Sequence, residues 1–228
     1  MVMDDLIYNA QEMREKMFAF LYGCAMHDAI LQKAFDATEK TWVGEVTAPI
    51  QYVQEYVDRV LGNRFTSQEE HDDYFLQLAN RICSAINEEG EKRNITTVFG
   101  FGNAQKLINM TIKFVYGFCY QDSSLRQGFR FCHCPLDSYM LDAVWKRAKD
   151  FCGGDSKRRA RLGKSEEFHK RWGDEGVEKN SNTQPELTAF PPRYHQFQTI
   201  IREMCQPGGL YSIEYDYMDW KTQENKMK

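Results

Sequence analysis

The chain has 228 residues, of which 42% are hydrophobic and 27% charged, with a net charge of −4. That composition fits a globular protein, excludes a disordered or collagen-like chain, and gives no general attraction for nucleic acid. The longest charge-free apolar run near the start, Met17 to Met26, is about half the ~20 residues a bilayer crossing needs. The acidic residues before it (Asp4, Asp5, Glu12 and Glu15) have the wrong sign for a secretory leader, so a cytoplasmic protein without a membrane segment is expected. Seven scattered cysteines, an odd number, read as reduced thiols and not as a disulfide framework.

The first third reads as helix upon helix. From about Asp4 to Ala34 there is no proline, and Leu6, Met13, Met17, Phe20, Leu21, Cys24, Ile30, Leu31 and Phe35 recur at near-helical spacing, with Gly23 as a candidate break. A second helix runs from Pro49 to Leu61 and ends at Gly62. Ser67-Gln-Glu-Glu70 matches a capping box, and Phe75, Leu78, Ala79, Ile82 and Ile86 behind it form one buried stripe. Glu88 to Arg93, around Gly90, is a polar break. The β-branched stretch from Ile95 to Gly102 precedes a helix from about Asn103 to Phe118. Gln121 to Arg130 is a loop, and Phe129 to Cys134 an extended approach to Pro135. The next helix spans Ser138 to Phe151 and buries Leu141, Val144, Trp145 and Ala148. Cys152 to Pro192 is long, polar and rich in Gly, Asn and charge, an insertion with one short helix near Glu166 to Trp172. A helix carrying Tyr194, Phe197, Ile200, Ile201 and Met204 is stopped by Pro207-Gly-Gly, and Leu210 to Trp220 fits either a short strand or a final helical turn. The expected fold class is all-α, as a single unit over 1–228 or as two lobes. Its divisions are 1–90 (N-terminal helices), 91–151 (the central region), 152–192 (a basic, polar loop) and 193–228 (a C-terminal helix and tail).

On the helix after Gly102, Leu107, Ile108, Met110, Ile112, Phe114, Val115 and Phe118 cover most of the circumference, which predicts burial on nearly all sides. Lys106, Asn109 and Lys113 stand at i, i+3 and i+7 and share one narrow stripe. Such a stripe meets either solvent, as a strip of snorkelling lysines, or a polar cleft. In a cleft, apolar surroundings disfavour the ammonium form and expose a free amine, the route by which lysines form Schiff bases. Asp137 opens the next apolar helix, where an aspartate serves as a cap. The helix dipole and N–H groups keep such a carboxylate charged, a state suited to supporting a developing sugar cation.

The order Gly100-Phe-Gly-Asn-Ala-Gln-Lys106, then Cys134-Pro-Leu-Asp137-Ser-Tyr, resembles the helix-hairpin-helix DNA glycosylases over Val98 to Val144. The resemblance implies a helix-hairpin-helix element, with 91–151 as the hairpin and catalytic region. Gly100 and Gly102, with Asn103 and Gln105 beside them, would face a DNA phosphate through the hairpin. Lys106 would be the catalytic nucleophile, Asp137 its assisting carboxylate flanked by Leu136, Ser138 and Tyr139, and Lys113 a DNA contact and the reserve nucleophile. The spacing from Lys106 to Asp137 looks like that of the archaeal 8-oxoguanine branch. Two departures stand out: Asn103-Ala-Gln intervenes between the second glycine and the lysine, and the separation from Lys106 to Asp137 is longer than in the commonest members; the four-cysteine iron–sulfur motif of some relatives is also missing. The implied reaction flips a nucleotide from DNA, a duplex with a modified base, displaces that base by lysine attack on the sugar, and leaves an imine that permits strand cleavage. It calls for no cofactor.

Lys157, Arg158, Arg159, Arg161, Lys164, Lys170 and Arg171, opposed only by Glu166 and Glu167, form a basic stretch that would neutralise phosphates or, in the plainer reading, is a solvated face. Phe168 or Trp172 would stack or wedge there. Cys132-His-Cys134 invites a zinc proposal, but neighbours in an extended strand point to opposite faces and no second Cys-x-x-Cys follows, so no metal is expected. The Gly-rich turn lacks the third glycine of a dinucleotide site and the Gly-Lys-Ser/Thr of a P-loop. The rival reading is a non-catalytic helical nucleic-acid-binding or protein-interaction module, with Lys106 as a phosphate contact, Asp137 as a cap, and the acidic N-terminal third as a partner surface.

Overall fold

The computed structural model describes residues 10–30, 43, 46–151 and 185–224. These residues are all-α: α1 (Ala10–Ile30), α2 (Ala48–Leu61), α3 (Gln68–Lys92), α4 (Phe101–Cys119), α5 (Ser123–Arg126), α6 (Ser138–Phe151), α7 (Pro192–Cys205) and α8 (Ser212–Glu224), with 3₁₀ turns at Gln127–Phe131 and Gln206–Gly208. Helix α4 is the axis of the fold. α1 packs along it most extensively, and α2, α3 and α5 also touch it. α7 joins α6 to α8. One core cluster draws side chains from α1 (Ala25, Met26) through α4 (Leu107, Ile108, Ile112) to α8 (Ile213), so both sides of residue 90 share it.

Local chemistry explains the boundaries. Pro49 lies in the first turn of α2, where its missing N–H has no helical acceptor to lose. Ser67 caps α3 by accepting from the Glu70 N–H at 3.1 Å. The return arm differs from a true capping box: the Glu70 carboxylate reaches one residue further, to the Thr66 N–H at 2.9 Å and its hydroxyl at 2.7 Å. The buried stripe of α3 is as expected, with Phe75, Leu78, Ala79, Ile82 and Ile86 inside. The polar break at Glu88–Arg93 is absent, and α3 runs on to Lys92. Gly90 extends the buried row of Ile82 and Ile86, and the charges sit on the outer face, where Glu89 meets Lys92 at 3.0 Å and Arg93 at 3.3 Å.

α1 passes through Gly23 without a break, and a side chain there would meet nothing within 4 Å, so no packing force interrupts the helix. Its outer face keeps Met13, Met17 and Phe20 exposed, Phe20 by 69%. Phe118, 68% exposed, is where α4 departs from its expected burial on nearly all sides. The expected loop at 121–130 is a short helix and a 3₁₀ turn, capped by Asp122 and tied to α8 by a forked ion pair from Arg126 to Glu214 at 2.8 and 3.0 Å. Gly128 in that turn lies so close to the end of α2 that a Cβ would sit 2.0 Å from the Val60 carbonyl oxygen. Helix α6 starts and stops as predicted. The ambiguous tail is helix α8, launched from Gly209, whose φ of 65° is left-handed. The predicted short helix near Glu166 lies outside the described residues.

A repeated device holds the non-helical connections. Four carboxamide side chains each grip both the N–H and the C=O of one residue: Asn80 holds Leu187, Asn87 holds Phe99, Gln105 holds Leu136 and Gln198 holds Cys134, with distances from 2.7 to 3.3 Å. Buried peptide groups outside helices need partners. Here the helices supply them through side chains, as a neighbouring strand would in a sheet.

Candidate functional site

The chain from Cys132 to Asp137 is extended and crosses the interior between the 3₁₀ turn and α6. Gln198 of α7 grips it at Cys134, and Gln105 of α4 grips it at Leu136. This double hold fixes the residues at its two ends, His133 and Asp137.

Asp137 caps α6, with Oδ1 accepting from the Met140 N–H at 2.9 Å and its carbonyl from the Leu141 N–H at 2.9 Å. The other carboxylate oxygen, Oδ2, faces Lys106 Nζ at 3.7 Å. Lys106 is 12% exposed and Asp137 35%, so the amine sits inside the edge of the protein while the carboxylate still meets solvent. The pair is longer than a charge-assisted hydrogen bond, which closes at about 2.7–2.9 Å. One turn along the same face, the buried Asn109 gives its N–H₂ to Gln105 Oε1 and Tyr194 Oη, each at 3.2 Å. Its own carbonyl oxygen has no hydrogen-bond partner.

The lysine stripe of α4 therefore meets a polar interior, and the reading as a solvent-exposed strip is corrected. Lys113, two turns on, is buried in a direct ion pair with Asp216 of α8 and lies 5.1 Å from the centre of the Tyr217 ring, while Tyr217 Oη donates to the Lys113 carbonyl at 2.6 Å. It is committed to holding α4 to α8.

The Gly-rich segment does not form an open hairpin. Gly100 is the N-cap of α4, Gly102 lies in its first turn, and neither has positive φ. Gly100, Gly102, Asn103 and Gln105 are all buried. The Asn103 carboxamide accepts from the Gly100 N–H at 3.3 Å and donates to the Ala29 carbonyl of α1 at 2.8 Å, and Gln105 is used on Leu136. Packing of α1 and of the 132–137 segment over the head of α4 leaves these four no face toward a phosphate. Lys157, Arg158, Arg159 and Arg161, with Phe168 and Trp172, lie outside the described residues.

A second polar centre lies at the other end of the 132–137 segment. The histidines His71 and His133 both donate to one oxygen of Asp72: His71 Nδ1 at 3.0 Å and His133 Nε2 at 2.9 Å. Gln68 Nε2 donates to the same oxygen at 2.7 Å. The outer ring nitrogens meet hydroxyls, Tyr56 Oη at 2.7 Å from His71 Nε2 and Tyr194 Oη at 2.8 Å from His133 Nδ1. Phe65, Phe75 and Phe190 wall the two rings. Burial lowers both histidines, His71 to about 4, so both are neutral at pH 7. Burial opposes the charged form of Asp72, but the hydrogen bonds from His133, His71 and Gln68 outweigh it and hold the carboxyl well below its usual range.

This centre escaped the sequence reading, although a signal was present. His71 lies four residues before Phe75 and heads the apolar stripe of α3, where a titratable side chain must find a partner inside. His133 turns to Asp72, Cys132 Sγ lies 3.7 Å from Tyr56 Oη, and Cys134 Sγ lies 3.6 Å from the Pro135 carbonyl. Burial pushes the Cys132 thiol up to about 12 and Cys134 well above its ordinary value. The chain matches no family model, no curated protein and no solved structure. No helix among the described residues is long and apolar enough to cross a membrane.

Proposed function

We propose that the protein is a DNA base-excision glycosylase and lyase that works through a Schiff base on Lys106. The observation that carries the reading is the approach of Lys106 Nζ to within 3.7 Å of Asp137 Oδ2 at a half-enclosed edge, two residues singled out by an ordered motif and drawn from helices 31 positions apart. A nucleophilic lysine needs a nearby base and an apolar surrounding. Asp137 supplies the first, and the 12% exposure of the Lys106 side chain goes toward the second. The carboxylate keeps one oxygen on the cap of α6, so its position is fixed while the other is open to the amine or to positive charge on a sugar. The unpaired oxygen of Asn109 offers an acceptor nearby, and Tyr139, 72% exposed beside Asp137, offers a stacking face to an unpaired base. With the Gly-rich turn enclosed, backbone contacts to DNA fall to other surfaces.

Borohydride trapping on duplexes carrying abasic, oxidised, deaminated or alkylated positions tests this. A covalent adduct is expected with the native chain and not with Lys106→Gln, whose turnover falls about 10³-fold or more, the scale of losing a nucleophile. Absence of both adduct and base release on every duplex would favour the second reading, a non-catalytic interaction module. That reading rests on its own observation: Phe20, Leu21, Cys24, Phe114, Phe118 and Tyr217 line an apolar groove of about 370 Å³ between α1, α4 and α8.

A further inference from the structure

We infer that His71, Asp72 and His133 form a binding site for one divalent transition-metal ion of the zinc class. Their ligand atoms all lie within 4.8 Å of one another. Two imidazoles and a carboxylate are donors that suit zinc and its neighbours in the first transition row. In a tetrahedral site with bonds near 2.05 Å, neighbouring ligand atoms stand about 3.3 Å apart. His71 Nδ1 and His133 Nε2 already lie 3.0 and 2.9 Å from Asp72 Oδ1. An ion entering between them needs each of those contacts to open by only about 0.3–0.4 Å.

The outer shell is built for the exchange. A ring nitrogen that binds metal must give up its proton, so the proton moves to the outer nitrogen and needs an acceptor there. Each outer nitrogen faces a tyrosine hydroxyl, Tyr56 at 2.7 Å and Tyr194 at 2.8 Å. A hydroxyl both donates and accepts, so it serves either tautomer. When His71 Nε2–H donates to Tyr56, the Tyr56 proton turns to Cys132 Sγ, 3.7 Å away. Both rings are enclosed, but Asp72 remains 19% exposed, and Gln68 lies beside it at the part-open side. The ion enters past these two, and a water held by Gln68 completes the fourth position. The ion would join α3 to the segment that positions Asp137.

The full-length chain, stripped with chelator and equilibrated with Zn²⁺ or Co²⁺, tests the site by elemental analysis and by the visible Co²⁺ spectrum. One ion per chain is expected, with a tetrahedral nitrogen–oxygen spectrum. Asp72→Asn and His133→Gln should lose affinity by more than the roughly 10–100-fold that outer-shell changes cost, and Tyr194→Phe should lose about 10-fold. Lys106→Gln should bind as the native chain does, which separates this site from the proposed reaction. Helicity by circular dichroism identifies any variant that fails to fold, and the Tyr194→Phe titration and the native spectrum then decide. Less than a stoichiometric ion on the native chain would overturn the site. So would a sulfur-to-cobalt charge-transfer band, or native affinity in folded Asp72→Asn and His133→Gln.

Discussion

The segment from Cys132 to Asp137 ends in two centres built from similar groups and left in opposite states. At the histidine end, one carboxylate oxygen takes three donors, every ring nitrogen has a partner, and aromatic rings close the walls. At the aspartate end, a lysine stands 3.7 Å from its carboxylate, an asparagine oxygen is unmatched, and solvent reaches the carboxylate. A hydrogen-bonded path connects them, from Asp72 through His133, Tyr194, Asn109 and Gln105 to the backbone of Leu136. The satisfied end is stiff because each group would lose a partner by moving. The slack end has attraction to spare, which is what the proposed reaction would require of it. The first positions the second.

The comparison breaks most visibly at Lys113, the other lysine on the stripe. Lys113→Met would remove the cation that faces the buried Asp216, costing about 3 kcal/mol, which for this chain length lowers the melting temperature by about 6–12 °C in calorimetry. Loss of the trapped adduct at unchanged stability would instead make Lys113 the nucleophile. The closed centre carries its own signature in acid. A histidine at about 4 when folded and 6.5 when unfolded takes up its proton mainly in the unfolded chain between those values. Stability of the metal-free protein therefore falls with decreasing pH from about 6.5 to 4, by on the order of 3 kcal/mol, and urea titrations of His71→Gln should show a flatter slope over that window. Asp137→Asn keeps an acceptor for the Met140 N–H, so stability should change by less than about 0.5 kcal/mol while base release slows about 10²-fold. Equal losses in both would reduce Asp137 to a cap. Gln105→Ala removes the hold on Leu136 and should cost about 1–2 kcal/mol by chemical denaturation, with a weaker adduct yield because Asp137 is less well placed.

Much of the helical frame was legible, because periodicity and caps act over a few residues. The stripe from Phe75 to Ile86, the cap at Ser67 and the limits of α6 are all local signals. Gly90 and Gly23 both misled: a single glycine only weakens a helix, and α3 buries Gly90 in its packed row while α1 runs through the open position at Gly23 without interruption. The juxtaposition of Lys106 and Asp137 came from an ordered motif, whereas burial of Gly100, Gly102, Asn103 and Gln105 depends on α1, whose packing no short pattern announces. The link between His71 and His133 is likewise tertiary. Residues 62 positions apart share an acceptor only once α3 and the extended segment are packed.

The four carboxamide grips carry a consequence for chemical ageing. Each depends on one carboxamide that carries a donor and an acceptor on the same carbon, the geometry that matches the N–H and C=O of a single residue and that asparagine and glutamine supply. Deamidation replaces the NH₂ by oxygen and sets a carboxylate against the backbone carbonyl it formerly held. At Gln105 that change would release the peptide next to Asp137, so loss of the proposed lysine reaction in stored protein would begin in the scaffold, with Lys106 itself chemically intact.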